Sequence, residues 1–292
     1  MPDIAEVKDH DQLSAKGFSY GYLGSMALLL INLVMVMSQD AAEDQIEMMR
    51  FSFATVGIWW MGFSQYSYKY LPDFKNGNKI TKDIVWKGYK ELNNIRKEVI
   101  HNTILKRYLI AFFMYSTAVQ TVMLIATYFG VEEIEWGEGG ATMGLIVSIL
   151  LIQLLAVAGA LATSKLATKI GNIQTLIIII IIINFIWIIA VVYAYTIHTP
   201  MEFYITACIV GLVMGGIQSL SRSTYSKYLP ETEDTTSYFS FYDVTEKIGI
   251  VFGMILYGLL GDYTGSIRAS IVFFAIFFVL GIVFLFRVPK KV

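Results

Sequence analysis

Apolar runs of roughly 20 residues, set apart by short charged stretches, dominate this chain, and such a run crosses about 30 Å of hydrocarbon as an α-helix. Eight are read: Gly17–Met37, Arg50–Tyr70, Arg107–Phe129, Ala141–Ala162, Ile173–Tyr195, Phe203–Ser221, Val244–Leu260 and Arg268–Arg287. The fifth contains seven consecutive isoleucines, Ile177–Ile183. In a soluble protein that run suits a buried strand. Flanked by Leu176, Phe185, Ile186 and Trp187, it extends to lipid length, and in lipid a backbone must satisfy its own hydrogen bonds, which favours helices. An outer-membrane barrel would show alternating stretches of about ten residues instead. Composition agrees: 56% of the 292 residues are hydrophobic and 15% charged, with mean hydropathy +0.60, against about 45–50% apolar in soluble domains. The expected class is an all-α integral membrane protein whose chain lies in the lipid bilayer.

The loops orient the spans, because cytoplasmic loops collect Lys and Arg. With the N-terminus in the cytoplasm, the cytoplasmic segments hold Lys8 and Lys16, the basic residues between Lys69 and Arg107, Lys165, Lys169, Arg222, Lys227, Lys247, Arg287, Lys290 and Lys291. The opposite face keeps Arg50 and Arg268, and its loops are acidic: Asp40, Glu43, Asp44 and Glu47, then Glu132, Glu133, Glu135 and Glu138. Both termini are therefore placed in the cytoplasm, which fits a bacterial inner membrane. The opening MPDIAEVKDHDQLSAK is polar and lacks the apolar stretch of a signal peptide. A net charge of −1 points to no nucleic-acid partner. The single cysteine, Cys208, reads as a small core residue.

Asp73–Lys106 is the one long polar connection, with Lys75, Lys79, Lys82, Lys87, Lys90, Arg96 and Lys97. Trp86, Tyr89, Leu92, Ile95 and Val99 recur three or four apart, the spacing of an amphipathic helix. Such a helix lies against the membrane face with its lysines near anionic headgroups, or binds a regulatory partner. Four segments are expected: 1–16, a cytoplasmic N-terminal piece; 17–72, two spanning helices; 73–106, the linker; and 107–292, six spanning helices.

Particular residues carry a resemblance. Tyr115-Ser116 precedes Val119-Gln120-Thr121-Val122-Met123. Gly159-Ala160-Leu161 precedes Ser164-Lys165-Leu166-Ala167-Thr168-Lys169-Ile170-Gly171. Residues 215–253 read GGIQSLSRSTYSKYLPETEDTTSYFSFYDVTEKIGIVFG. From about Gly17 onward the chain resembles the major facilitator branch that contains the fungal vacuolar effluxers and their bacterial relatives. Transporters of that superfamily join two six-helix halves by a long cytoplasmic linker. The resemblance implies a major facilitator-type bundle of eight spans, the last two of a first half plus a complete second half. It also implies four further helices before Gly17, so the chain is read as a truncated or split gene product or as a fragment, with a separate chain as one source of those helices. The loop after the fourth span resembles the superfamily motif G-x-L-A-D-R-x-G-R, which helps latch the halves. Ser164, Thr168 and Asn172 depart from it, while Lys169 and Gly171 keep its character. Thr168 and Asn172 thus leave uncharged the acidic and the final basic position on which a charge-based latch there would rest.

No His or Cys pair has metal spacing, and His10, His101 and His198 are read as loop residues. No Gly-rich phosphate loop follows a strand, and no nucleophile is paired with a base. These features point to no cofactor, no catalytic residues, no metal site and no enzyme. Charges near a span invite a functional reading: Asp243, Glu246 and Lys247 either sit at the headgroup boundary or form a gate with Arg222 and Lys227, and Lys169 joins that set. Asp243 and Lys247, four apart, share a helix face on which they can pair. Coupling to an ion through Asp243 or Glu246 is a further reading. Gln120, with Thr117 and Thr121 beside it, and Gln153 and Gln218 are candidates for a cavity near the midplane, or for bonding between helices; Asn184 reads as packing. Gly211 and Gly215, and Gly249 and Gly253, have the four-residue spacing of close helix contacts. The functional expectation is a secondary transporter of a small solute, such as an amino acid, working by alternating access. Its rival is a transport-incompetent scaffold or accessory subunit that needs an N-terminal partner.

Overall fold

The computed structural model describes residues 2, 4–71, 84–137, 140–182, 197–232 and 234–289. The described residues form helices and no strands: α1 His10–Met37, α2 Ala42–Tyr70, α3 Ile84–His101, α4 Thr103–Glu133, α5 Ala141–Ile170, α6 Asn172–Ile182, α7 Pro200–Tyr228, α8 Thr235–Thr264, α9 Ile267–Phe273 and α10 Ala275–Leu285. Among the described residues, six helices are long and apolar enough to cross a membrane, with α9 and α10 counted as one span. The second expected span lies within α2, which does not reach that apolarity. The fifth is seen as α6 only as far as Ile182. Asn184 and the rest of that run lie outside the described residues, as do Lys75, Lys79, Lys82, Glu138, Lys290 and Lys291. The chain is a multi-pass membrane protein, and the count of eight spans is not reached among the described residues.

Local chemistry sets the helix ends. At α7, Thr199 accepts from the Glu202 backbone N–H, the Glu202 side chain returns the bond, and Pro200 occupies the first turn, a capping box with a proline that has no N–H to lose. Asn102 caps α4 through the Leu105 N–H at 3.1 Å, and Asp234 caps α8 through the Ser237 N–H at 3.1 Å. That last cap moves a boundary. The seventh run was read from Val244, whereas the helix that contains it, α8, is already formed from Thr235. Asp243, Glu246 and Lys247 thus project from formed helix. His10 and His101 likewise belong to the ends of α1 and α3 rather than to loops.

The chain divides into two units, residues 23–86 and residues 1–22 with 87–292. In the smaller, the Thr55 hydroxyl donates to Asn32 Oδ1 at 2.8 Å, tying the end of α1 to α2. Its aromatics Trp60, Tyr66 and Tyr68 are exposed. In the larger, α4 packs against α8 and α10, and α5 runs along α7. Tyr108, Tyr115, Leu105 and Ile125 of α4 are fully buried among Tyr225, Leu220, Phe274 and Phe278. The α5–α7 seam is a contact of backbones: a Cβ on Gly159 would lie 1.7 Å from the Leu212 carbonyl oxygen, and one on Gly215 would lie 2.0 Å from that of Ala156. Gly211 faces the Ile152 backbone in the same way. The expected close contact at Gly211 and Gly215 is therefore present, and only glycine fits it.

The linker helix corrects one reading. Ile95 and Val99 of α3 are buried in the core, but Trp86 and Tyr89 are exposed. A three-residue step turns a helix by about 300°, so a chain of such steps winds around the surface rather than staying on one face. Trp86, Tyr89, Leu92 and Ile95 follow such a chain, and by Ile95 it has moved half a turn.

Candidate functional site

A cavity of about 220 Å³ opens between α1, α4, α7 and α8 within the larger unit. Its polar wall is Gln120 and Ser116 from α4, Gln218, Ser221 and Arg222 from α7, and Glu246 from α8. Phe18, Phe112, Tyr115 and Tyr242 supply the aromatic wall. Helical spacing makes this possible: Ser116 lies four residues before Gln120, and Ser221 and Arg222 lie three and four after Gln218, so each set shares a helix face. Gln120 Nε2 donates to Glu246 Oε1 at 2.7 Å. Arg222 Nη1 reaches Asp243 Oδ1 at 3.2 Å, and its guanidinium lies 5.1 Å from the Phe239 ring centroid. The Tyr22 hydroxyl donates to Gln218 Oε1. One cationic and one anionic side chain therefore border the same small volume.

The aromatic wall is held rigidly. Tyr242 stacks on Phe112 at 4.2 Å between centroids. Tyr115 and Ser221 share a hydroxyl hydrogen bond of 2.7 Å, and Tyr108 donates to the Ser221 carbonyl at 2.7 Å. Satisfied buried networks of this kind fix geometry, because every polar atom they lack would be costly.

Of the residues singled out above, Gln120, Gln218, Arg222 and Glu246 come together here. Thr117 and Thr121 are fully buried elsewhere, in the seam between α4 and α8. A Cβ on Gly253 would sit 1.9 Å from Thr121 Oγ1, and one on Gly249 would sit 2.8 Å from Thr117 Oγ1. The small residues of α8 thus receive the threonines of α4, and these two are packing residues. Gln153 does not line this cavity, and its Oε1 is buried without a hydrogen-bond partner among the described residues. Lys169 is exposed at the end of α5. The Asp243–Lys247 pair that the spacing allows is not formed: Asp243 reaches across to Arg222, and Lys247 lies 3.6 Å from Glu246. A helix neighbour four residues away competes with a partner from the facing helix, and here Arg222 of α7 takes Asp243.

Two ionic clusters escaped the sequence reading. Lys227 Nζ donates to Asp11 Oδ2 at 2.6 Å and to Asn172 Oδ1 at 3.1 Å. Asn172 Nδ2 in turn donates to Asp11 Oδ1 at 2.7 Å and to Thr224 Oγ1 at 3.0 Å. The Asp11 side chain is 2% exposed and that of Lys227 13%. Three helices, α1, α6 and α7, meet there. Asn172, which breaks the superfamily motif at its last position, is the residue that bridges the pair. At α9, Arg268 Nε donates to Glu133 Oε2 at 2.6 Å and Nη2 to the Ile197 carbonyl at 3.1 Å, and the guanidinium lies 5.2 Å from the Phe129 ring centroid. Arg268 is one of the two basic residues left on the acidic side, and Glu133, read from the sequence as part of an acidic loop, is the last residue of α4. Their opposite charges were visible, but nothing in their spacing paired them. Among the described residues, no group of three or more His, Cys, Asp or Glu side chains is arranged to hold a metal.

Comparison with known proteins agrees with this architecture. The chain is 27% identical over 299 residues to the uncharacterized MFS-type transporter YxiO of Bacillus subtilis, covering 100% of this chain and 66% of YxiO. It is 28% identical over 300 residues to autophagy-related protein 22 of Eremothecium gossypii, covering 96% of this chain and 57% of that protein. The chain thus spans between half and two thirds of the length of these relatives. Among solved structures, the fucose:proton symporter FucP of E. coli superposes with a TM-score of 0.64 over 99% of this chain and 71% of FucP. Sequence identity there is 15%, so the likeness is one of fold, a major facilitator-type helical bundle. The sequence profile of the family described as vacuole effluxer Atg22 like matches residues 2–291, and the chain belongs to that family.

Proposed function

We propose that this chain forms part of a secondary active transporter working by alternating access, and that the cavity around Gln120 and Glu246 seats a small zwitterionic solute of the amino-acid type. The observation that carries the reading is the pairing of Arg222 and Glu246 on one cavity of about 220 Å³. That volume lies below the ~300–1,000 Å³ of pockets for drug-sized ligands, so the solute is small. A guanidinium matches a carboxylate bidentately, a carboxylate accepts from an ammonium, and Gln120, Gln218 and Ser116 offer neutral hydrogen bonds between them. The family and the MFS-type relative support transport as the activity. Excess basic charge on one face supports cytoplasmic termini in a bacterial inner membrane.

Arg222 of the cavity wall holds Asp243, and Glu246 holds Gln120. A bound zwitterion would exchange those partners, carboxylate for Asp243 and ammonium for Gln120. Seam and cavity are thereby linked, since the exchange alters the bonds between α7 and α8 and between α4 and α8. In purified protein reconstituted into vesicles, Gln120→Ala is expected to weaken solute affinity about threefold to tenfold, the worth of about one neutral hydrogen bond. Unchanged affinity and flux in that variant would remove Gln120 from the site.

A second reading is favoured by one feature. Beside the cavity runs an open groove of about 590 Å³ lined by Leu13, Ser14, Gly17, Gly21 and Tyr22 of α1. Among the described residues, a Cβ on Gly17 or on Gly21, four residues apart, would have nothing within 4 Å, the small-residue face that receives another helix. In this reading the chain is an accessory subunit or scaffold completed by a separate N-terminal four-helix piece. Flux in vesicles with the chain alone, against vesicles with that piece added, separates the two.

A further inference from the structure

The linker helix α3 presents an outer face that neither the cavity nor the bundle uses. Its inner face is anchored: Ile95 and Val99 are buried in the core, and Glu98 Oε2 accepts from the Tyr238 hydroxyl at 2.5 Å. Tyr238 stands in the first turns of α8, and Asn102, just past α3, caps α4. The helix is therefore fixed at the end of the bundle where two apolar spans begin, which is the level of the headgroups.

The outer face is of mixed character. Trp86, Tyr89, Lys90, Lys97 and Ile100 are exposed, and their positions fall within about a third of the helix circumference. Arg96 is exposed and lies next to Tyr89 on the helical wheel. Among the described residues, Lys90, Arg96 and Lys97 make no ion pair. The acids of the helix are segregated: Glu91 and Glu98 fall on another flank, and Glu98 is held by Tyr238. Exposed aromatics beside unpaired cations are the composition of a headgroup-level anchor, rings in the interfacial layer and ammonium or guanidinium groups at the phosphates.

We propose that this face docks onto the anionic lipids of the bilayer that the spanning helices cross, with Lys90, Arg96 and Lys97 contacting headgroup phosphates and Trp86 and Tyr89 entering the interface. The occupant follows from charge complementarity and from position. The face is cationic, it sits at the end of the apolar spans, and a bilayer surface is present wherever the protein is folded. Each basic residue near an anionic surface strengthens attraction about fivefold. The inference does not depend on what the cavity binds.

The test uses the full chain, with Cys208→Ala and Asn93→Cys carrying an environment-sensitive fluorophore, since position 93 lies on the outer face. The protein is reconstituted in nanodiscs of phosphatidylcholine alone or of phosphatidylcholine with an equal part of phosphatidylglycerol. The expected result is a blue-shifted probe, quenched by headgroup-borne nitroxide, several-fold more strongly with phosphatidylglycerol. The triple variant K90E/R96E/K97E is expected to erase the difference between the two lipids, and W86A/Y89A to lower quenching in both. Thermal unfolding of each variant serves as the folding control, and exposed positions predict unchanged midpoints. Equal quenching in the two lipids, or a lipid difference that survives charge reversal, would overturn the proposal. Protection from aqueous iodide that appears only on adding a soluble acidic polypeptide would overturn it too, in favour of a protein partner.

Discussion

Gly159→Ala and Gly215→Ala are each expected to destabilise the folded protein by about 2–3 kcal/mol or more, the upper range for overpacking a close-packed contact. One methyl group suffices, because the Cβ would fall 1.7 Å and 2.0 Å from backbone carbonyl oxygens of the facing helix. Backbone cannot rotate aside as a side chain does, so α5 and α7 must separate along the seam. The matched control is Gly258→Ala in α8, where nothing lies within 4 Å of the new methyl. There, relief from glycine's conformational freedom should leave stability equal or raise it by up to about 1 kcal/mol. Unfolding midpoints in detergent test the contrast. Equal midpoints for the Gly215 and Gly258 variants would mean that the seam is looser than described.

The second large effect concerns the buried pair at α1 and α7. Lys227→Met strands the Asp11 carboxylate, 2% exposed, beside an amide that satisfies only part of it. Removing one partner of a buried ion pair costs about 3–5 kcal/mol, whereas replacing both by apolar residues is often neutral. Lys227→Met alone is therefore expected to be severely destabilised, and Asp11→Leu with Lys227→Met to recover most of the loss. The comparison isolates coupling from packing. Should the single variant unfold at the wild-type midpoint, the pair does not hold the first turn of α1 to the end of α7.

Much of this architecture was legible before any coordinates. Lipid-length runs give the spans, because length and apolarity suffice to place a helix in hydrocarbon. Four-residue glycine spacing marks the α5–α7 seam, and Gln120, Gln218, Arg222 and Glu246 stand out as polar or charged groups in apolar surroundings. The rest is hidden for identifiable reasons. Asp11 and Lys227 are 216 residues apart, and Asp11 sits in a polar opening stretch that reads as solvated surface. Asn172 registers as a missing charge in a motif, while its role as a bridge depends on which helices converge. Thr117 and Thr121 share the polarity of Gln120, but each comes one position after a cavity residue, Ser116 or Gln120, which turns it about 100° away from the cavity. Periodicity placed a helix over the linker and still misassigned its exposed aromatics, since steps of three drift around the axis.

The central claim is that Arg222 and Glu246 hold the two ends of one small zwitterion, and equilibrium binding tests it most directly. Purified protein, supplied with the four-helix N-terminal piece where binding requires it, is titrated with radiolabelled amino acids, beside Arg222→Gln and Glu246→Gln. The predicted result is saturable binding in the wild type, weakened about tenfold to a hundredfold in each variant, the worth of a hydrogen bond to a charged group. The Arg222 variant should lose selectivity for the free carboxylate over its amide, and the Glu246 variant selectivity for the free amine over its acetylated form. Saturable binding of equal strength in all three proteins would contradict the account.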